Sequence, residues 1–203
     1  IRLNCEYLCV DVVLSPDPAV FGHSNPLSGL KKGGVFIIQS NLGADTWASF
    51  PAWAQQFMVD NDIRVYYLDA FRIAREEAGS AELQLRMQGN AFQGAFFAAS
   101  PVMAQAGLSE PRLFQAIEDQ LQAKFGRKGG ALVANNVRVV HRGFAELVEI
   151  TDKIVGARAG DSPDGGRLDG DHVVVAGAPV GRDVGERAEH QHVVAGSVAD
   201  CDR

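Results

Sequence analysis

Ser40 and Asn41 are the residues of this sequence whose types and position best suit the binding of a ligand. They directly follow "GVFIIQ", an apolar run typical of a buried strand, and ligands of open α/β sheets bind where such strands end. A hydroxyl and an amide at that position can hydrogen-bond a ligand. The alternative is a simple turn, because Ser and Asn also favour turns through local hydrogen bonds with the backbone.

Asn90 is the third candidate, and it belongs to the stretch "RMQGNAFQGAFFAAS" at residues 86–100. Asn90, Gly94 and Ala98 recur every four residues, so they form one narrow stripe of small groups on a predicted helix. A glycine inside a helix costs about 1 kcal/mol relative to alanine, so this smooth face requires a reason. Close packing on the sheet or on a neighbouring helix is one reason, with the amide bound to nearby groups. The other is a ligand held by Asn90 at the ends of the strands.

The rest of the sequence shows no set of residues with the spacing of a catalytic or metal centre. It contains no nucleophile elbow, P-loop or HExxH motif. Asp69, which ends a predicted strand, is a general-base candidate by position alone, and we expect a structural role for it. Cys5 and Cys9 are separated by three residues and have no second pair, so no metal site is predicted in this chain. We expect free thiols in a reducing compartment.

The composition is ordinary for a globular protein, with 46% hydrophobic and 22% charged residues. The net charge of −6 at pH 7 argues against non-specific binding of nucleic acid, which needs clustered Lys and Arg. No apolar run approaches the roughly 20 residues that a membrane-spanning helix requires. We therefore expect a cytoplasmic protein that binds neither nucleic acid nor membrane.

The hydrophobic pattern predicts three strands and several helices. Apolar runs predict strands at residues 10–15, 33–41 and 63–70. Between the last two, residues 45–61 predict one helix of about four turns, capped by Asp45 or Thr46. Strand, helix and strand at this spacing favour a right-handed crossover and a parallel sheet. Later helices are predicted from Ser80 to Pro101 or Gly107, at 109–126 with Ser109 as its cap, and at 129–150.

The pattern changes beyond about residue 152. No aromatic residue follows Phe144, and nine of the 22 glycines lie between Gly156 and Gly196. Such a composition has little material for a core, so we expect a domain at residues 1–150 and a disordered or weakly ordered tail at 151–203. The segments "DHVVVAGAPV" and "HQHVVAGSVA" are the parts of the tail suited to short strands.

Five blocks occur in one order within residues 10–150: "VDVVLSPDPAVF", "LKKGGVFIIQSN", "IRVYYLDAFRIAREEA", "LRMQGNAFQGAFFAAS" and "FGRKGG". Together they resemble the gamma subunit or domain of the 2-oxoacid:acceptor oxidoreductases, the pyruvate:ferredoxin oxidoreductase family. The resemblance implies an α/β fold, a three-layer Rossmann-like domain with a mainly parallel sheet. The family's domain usually begins with a strand and a glycine-rich turn of the kind GxGGQG, and nothing like it precedes "VDVVLS". The resemblance therefore predicts an N-terminally truncated domain.

The resemblance also implies a function, which belongs to a complex. The whole enzymes oxidatively decarboxylate a 2-oxoacid to an acyl-CoA and pass electrons to ferredoxin or flavodoxin. Thiamine diphosphate and iron–sulfur clusters are expected in the alpha, beta and ferredoxin-like components, and this chain alone holds no cofactor. The roles attributed to the gamma component are assembly and a share in binding coenzyme A, which makes Ser40, Asn41 and Asn90 candidate coenzyme A contacts.

Two other functions remain open at this point. One is a Rossmann-like module that binds a nucleotide-containing ligand, although the missing glycine-rich turn counts against it. The other is a purely structural interaction domain. Because the chain shows no complete catalytic set, we expect it to be an enzyme only as a part of the larger complex.

Overall fold

The computed structural model describes residues 9–155, 174–175 and 193–195. These residues fall into two compact units. Of the described residues, the first unit contains 9–38, Leu42–Tyr66 and those from Glu149 onward, and the second contains Gln39–Asn41 and Tyr67–Val148. Most of the β-sheet belongs to the first unit, whereas the second is largely helical.

The sheet of the described residues has six strands, which are β1 (Val10–Ser15), β2 (Leu30–Gln39), β3 (Arg64–Leu68), β4 (Val148–Ile150), β5 (Val174–Val175) and β6 (Val193–Ala195). Their order in the sheet is β4-β3-β2-β1-β6-β5. β1 and β2 are parallel, with Val12 beside Val35, and β6 is antiparallel to β1. The three predicted strands correspond to β1, β2 and β3. The prediction of an α/β fold with a mainly parallel sheet is confirmed.

The chain continues beyond β4 in contact with the first unit. The Lys153 ammonium donates a hydrogen bond to the Ile63 carbonyl oxygen at 2.7 Å, and the Trp47 indole N–H donates to the Ile154 carbonyl oxygen at 2.8 Å. Burial lowers the pKa of Lys153. β5 and β6 lie in the two valine-rich segments suited to strands, and the other residues of the predicted tail beyond 155 lie outside the described part of the chain.

The helix predicted at residues 45–61 is wrong as a single element. A 3-10 helix spans Gly43–Ser49, which includes both predicted caps, and helix α1 spans Ala52–Asp60. The break follows from Pro51, because the residue before a proline is pushed out of the helical conformation. Phe50 is accordingly extended, with φ −78° and ψ 146°.

The described part of the second unit contains five α-helices, which are α2 (Ala70–Glu77), α3 (Ala81–Ala99), α4 (Val102–Gln105), α5 (Glu110–Phe125) and α6 (Gly130–Ala145). The apolar stripe predicted for α5 is confirmed, since Leu113, Ile117 and Leu121 are buried. They form one core cluster with Val133 and Val140 of α6. Periodicity at helical spacing therefore located both helices and the faces that join them. The prediction that the last helix extends to residue 150 is wrong, because α6 ends at Ala145 and Val148–Ile150 form β4.

Helices α3 and α5 begin and end close to the predicted residues, but the predicted capping by a serine side chain is not observed. α3 begins after Ser80 and stops before Pro101 rather than Gly107, because Ser100 is extended with ψ 155°. Ser80 and Ser109 occupy the N-cap positions of α3 and α5, but neither side chain makes a capping hydrogen bond.

Gly94 on α3 and Gly143 on α6 bring the backbones of these two helices into direct contact. A Cβ built on Gly94 would lie 2.7 Å from the backbone nitrogen of Phe144 and would overlap the carbonyl oxygen of Val140. A Cβ built on Gly143 would overlap the carbonyl oxygen of Ala91. Real Cβ atoms do not come so close to backbone, so only glycine permits this approach. The packing interpretation is confirmed at Gly94, with helix α6 as the neighbour, whereas Ala98 of the same stripe is exposed.

Arg142 on α6 binds three carboxylates at once. Its guanidinium nitrogens lie 2.6 Å from Glu76, 3.1 Å from Glu77 and 2.5 Å from Glu146. Glu76 and Glu77 end α2, so Arg142 joins α2 to α6. The hydrogen bond from Arg142 is the main cause that lowers the pKa of Glu146.

Arg72 and Arg138 extend this network of charges. Arg72 lies 2.6 Å from Glu146, and Arg138 lies 2.9 Å from Glu77. The hydrogen bond from Arg138 is the main cause that lowers the pKa of Glu77. Single surface ion pairs contribute little to stability, whereas a network in which each charge serves two partners holds its geometry better. The network therefore fixes α2, which begins next to the candidate site, against α6.

Two substitutions on α3 test the helix contact. We expect Gly94→Ala to lower the free energy of unfolding by about 1–3 kcal/mol, because its Cβ overlaps the backbone of α6. Gly89 is exposed and a Cβ there meets nothing within 4 Å, so Gly89→Ala should raise the free energy of unfolding by up to about 1 kcal/mol. Urea unfolding of the two variants gives the comparison, and equal effects at both positions would contradict the contact.

The charge network makes stability depend on pH. Glu77 and Glu146 have folded-state pKa values below the usual 4.5, so their ion pairs stabilise the fold above the pKa of the unfolded chain. This stabilisation is lost as the pH falls through the folded-state values. We expect Arg142→Met to reduce the fall in melting temperature as the pH drops below about 4.5.

Arg86→Met is the matched control for this experiment. Arg86 pairs only at the surface with Glu82, at 3.3 Å, and both side chains are exposed. The control variant should therefore keep the pH dependence of the unsubstituted protein. The role given to the network is wrong if Arg142→Met and Arg86→Met have the same dependence.

Candidate functional site

Ser40 and Asn41 directly follow the end of β2, and a hydrogen bond to the neighbouring strand β3 holds Ser40. The Ser40 backbone N–H donates to the Leu68 carbonyl oxygen at 3.1 Å, which prolongs the pairing with β3 by one residue. Ser40 is buried and only 3% exposed, whereas Asn41 is exposed. The Asn41 amide is therefore open to solvent directly beside a well-anchored residue. We call these two residues the Ser40–Asn41 segment.

Gln39, the last residue of β2, ties this segment to the start of α2. Its side chain is buried, and its Nε2 donates to Asp69 Oδ1 at 3.1 Å. Its Oε1 accepts a hydrogen bond from the backbone N–H of Phe71 at 3.3 Å. Asp69 Oδ1 also accepts from the backbone N–H of Arg72 at 3.0 Å. We call the amide and the carboxylate together the Gln39–Asp69 pair.

Asp69 is a helix cap, in agreement with the structural role expected from the sequence. Its carboxylate lies at the N-cap position of α2, where the positive end of the helix dipole stabilises a negative charge. Two backbone N–H groups of the first turn, those of Phe71 and Arg72, are bound by the Gln39–Asp69 pair. The charge of Asp69 is itself paired, since Arg72 Nε lies 3.9 Å from Asp69 Oδ2.

Asn90 uses its amide in the contact between two helices. Its Nδ2 donates to Oδ1 of Asn136 on α6, and Asn136 Nδ2 donates to the Leu132 carbonyl oxygen at 2.7 Å. Asn90 is half-buried and Asn136 is buried. No hydrogen bond within the described residues joins Asn90 to Ser40 or Asn41. Of the three predicted site residues, Ser40 and Asn41 are therefore adjacent at the strand end, whereas Asn90 is hydrogen-bonded to Asn136 in the contact between two helices.

Gln39 and Asn136 are residues that the sequence analysis missed. Gln39 is a polar residue at the end of an otherwise apolar strand, and a buried amide needs partners. That signal was available in "FIIQSN", but the partner lies 30 residues further along the chain. Asn136 likewise lies 46 residues from Asn90 in the sequence, and the apolar pattern of its helix does not indicate a polar contact at this position.

In the part of the chain that the structure describes, no group of three or more His, Cys, Asp or Glu side chains is placed to hold a metal ion. None of its helices combines the length and the apolar character needed to cross a membrane. Cys9 is disulfide-bonded, so the prediction of a free thiol is wrong for this residue. Pairing depends on the distance between cysteines in space, which their number and spacing in the sequence do not give.

Known proteins with similar sequences are long oxidoreductases. The pyruvate:ferredoxin oxidoreductase of Moorella thermoacetica is 27% identical over 141 residues, which cover 69% of this chain and 11% of that protein. A pyruvate-flavodoxin oxidoreductase of Klebsiella pneumoniae is 29% identical over 152 residues, which cover 73% of this chain and 12% of that protein. The chain thus spans about a tenth of the length of the curated relatives it matches.

Similarity was also found at the levels of structure and family. The crystal structure of pyruvate oxidoreductase subunit PORC from Thermotoga maritima aligns with a TM-score of 0.44 and 19% identity, over 68% of this chain and 64% of that one. The sequence profile of the family described as pyruvate ferredoxin/flavodoxin oxidoreductase matches residues 1–146. Because this match covers well over half of the 203 residues, the chain belongs to the pyruvate ferredoxin/flavodoxin oxidoreductase family.

Proposed function

We propose that this chain is the gamma component of a 2-oxoacid:acceptor oxidoreductase, the complex that oxidatively decarboxylates a 2-oxoacid to an acyl-CoA. The observation that carries the proposal is the family match over residues 1–146. The order of the five sequence blocks supports the gamma assignment. In this proposal the chain contributes to assembly and offers a contact surface to coenzyme A, in the cytoplasm.

The chemistry of the other steps belongs to partner components. Thiamine diphosphate and the iron–sulfur clusters are assigned to the alpha, beta and ferredoxin-like components, with ferredoxin or flavodoxin as electron acceptor. The cysteines of this chain support that division. A four-iron cluster is held by four thiolates, whereas the chain has three cysteines, of which Cys9 is disulfide-bonded.

The coenzyme A contact is assigned to Ser40, Asn41 and Asn90. The exposed amide of Asn41 can both donate and accept a hydrogen bond, and Ser40 holds it at the end of β2. The amide and hydroxyl groups of the pantetheine arm, which also donate and accept hydrogen bonds, match the Asn41 amide. Asn90 would contribute through Oδ1, since its Nδ2 is bound to Asn136.

A purely structural interaction domain is the second candidate. The hydrogen bond between Asn90 and Asn136 favours it, because that bond uses the amide for helix packing rather than for a ligand. The two functions differ in one observable property, which is the binding of coenzyme A.

Reconstitution tests assembly. The 203-residue chain is mixed with the alpha, beta and ferredoxin-like components, and 2-oxoacid-dependent and coenzyme A-dependent dye reduction is measured. We expect the chain to co-purify with the other components and to increase the rate. If the chain does not co-purify with the other components and does not increase the rate, the proposed role as the gamma component is refuted.

Substitution of Asn41 tests the coenzyme A contact. We expect Asn41→Ala to weaken coenzyme A binding by about tenfold in calorimetry, and to raise the KM for coenzyme A with little change in kcat. Gln115→Ala is the matched control, because Gln115 is an exposed amide on α5 that bonds only with Asp119. Equal binding by both variants would favour the structural alternative.

A further inference from the structure

We propose that Gln39 is a positioning residue, which holds the Ser40–Asn41 segment in the geometry that contacts coenzyme A. This inference rests on the proposed function. Gln39 itself touches no ligand in the proposal, because its amide is buried and bound within the chain.

The chemistry of Gln39 is out of place for a residue with only a packing role. The three residues before it, Phe36, Ile37 and Ile38, are apolar and almost completely buried. Burying an amide costs free energy unless its donor and acceptor groups find partners. Gln39 satisfies both, through Asp69 and the Phe71 N–H, and these bonds span 30 and 32 residues of sequence. The side chain therefore connects the end of β2 to the start of α2.

These bonds restrict the positions of the next two residues, Ser40 and Asn41. The side chain of Gln39 binds the start of α2, and the backbone N–H of Ser40 binds the Leu68 carbonyl oxygen one residue before Asp69. The chain is thus held at the two residues that directly precede Asn41. A binding group held in its final geometry loses less conformational entropy when a ligand arrives, which increases affinity.

Gln39 donates and Asp69 accepts the hydrogen bond of the Gln39–Asp69 pair, so one substitution can break this bond and a second can form it again in the opposite direction. Gln39→Glu keeps the shape and an acceptor for the Phe71 N–H, but it sets a second carboxylate against Asp69, and two like charges at this distance repel. Asp69→Asn in the same protein removes the second carboxylate. With its Nδ2 in the place of Oδ1, the new amide donates to Glu at position 39, whereas the Arg72 N–H, which bonds to that same Oδ1, loses its acceptor. The double substitution therefore exchanges donor and acceptor within the Gln39–Asp69 pair.

Calorimetric titration with coenzyme A into the 203-residue chain is the test. We expect Gln39→Glu to weaken binding by about tenfold, the effect of losing one buried hydrogen bond. We expect Gln39→Glu with Asp69→Asn to recover part of that loss, because the bond within the pair returns while the Arg72 N–H stays without its acceptor. In the Asn41→Ala background, Gln39→Glu should cause no further loss, because both changes act through the same contact.

The outcomes separate this inference from the proposed function. If the unsubstituted chain binds coenzyme A and Asn41→Ala weakens it, but Gln39→Glu binds normally or adds its full loss to that of Asn41→Ala, the positioning role alone is overturned. If the unsubstituted chain does not bind coenzyme A, the coenzyme A contact and the positioning role fall together.

A measurement without ligand guards against a simple loss of folding. Thermal unfolding must show that Gln39→Glu remains folded, and amide hydrogen exchange then reports on the Ser40 N–H bond to Leu68. We expect faster exchange at Ser40 in Gln39→Glu, with recovery in the double substitution and unchanged exchange in α5. Unchanged exchange at Ser40 in the folded Gln39→Glu variant would overturn the positioning role.

Discussion

Direct contact between the backbones of α3 and α6 is the constraint on which the helical unit depends. Packed helices of ordinary composition lie about 8–10 Å apart because their side chains separate them, and Gly94 and Gly143 remove that separation. The short distance lets the amides of Asn90 and Asn136 meet. It also sets the place of α6, whose Arg142 then reaches the carboxylates at the end of α2.

The glycines set the contact between α3 and α6, and polar side chains then fix the position of α2. The Arg142 network holds the last turn of α2, and the Gln39–Asp69 pair holds its first turn. A short helix of eight residues has little stability of its own, so both attachments matter for its position. The end of β2 shares the second attachment. The groups that fix the helix are therefore the same groups that fix the proposed coenzyme A contact.

The sequence predicted what depends on local pattern and missed what depends on distant partners. Apolar runs located β1 to β3, and the stripe from Leu113 to Leu121 located α5 and its buried face. Pro51 was visible in the sequence, yet the apolar residues around it suggested one continuous helix. The bonds from Gln39 to Asp69 and from Asn90 to Asn136 were beyond reach, because spacing alone does not tell which distant segments meet. The sequence thus located Ser40 and Asn41 at the end of a strand, but it did not indicate the distant residues that hold this part of the chain.

The hydrogen bond from Trp47 to Ile154 bears on where this fold stops. The apolar pattern fades at about residue 150, which invites a boundary there for expression of the domain. A polypeptide cut after Ile150 would lack both the acceptor for the Trp47 indole and the ammonium that binds the Ile63 carbonyl oxygen. A donor that loses its partner in a buried setting costs about 1–3 kcal/mol. Residues 151–155 therefore belong to the folded part of the chain, as do β5 and β6, and a boundary drawn by hydrophobicity would remove them all.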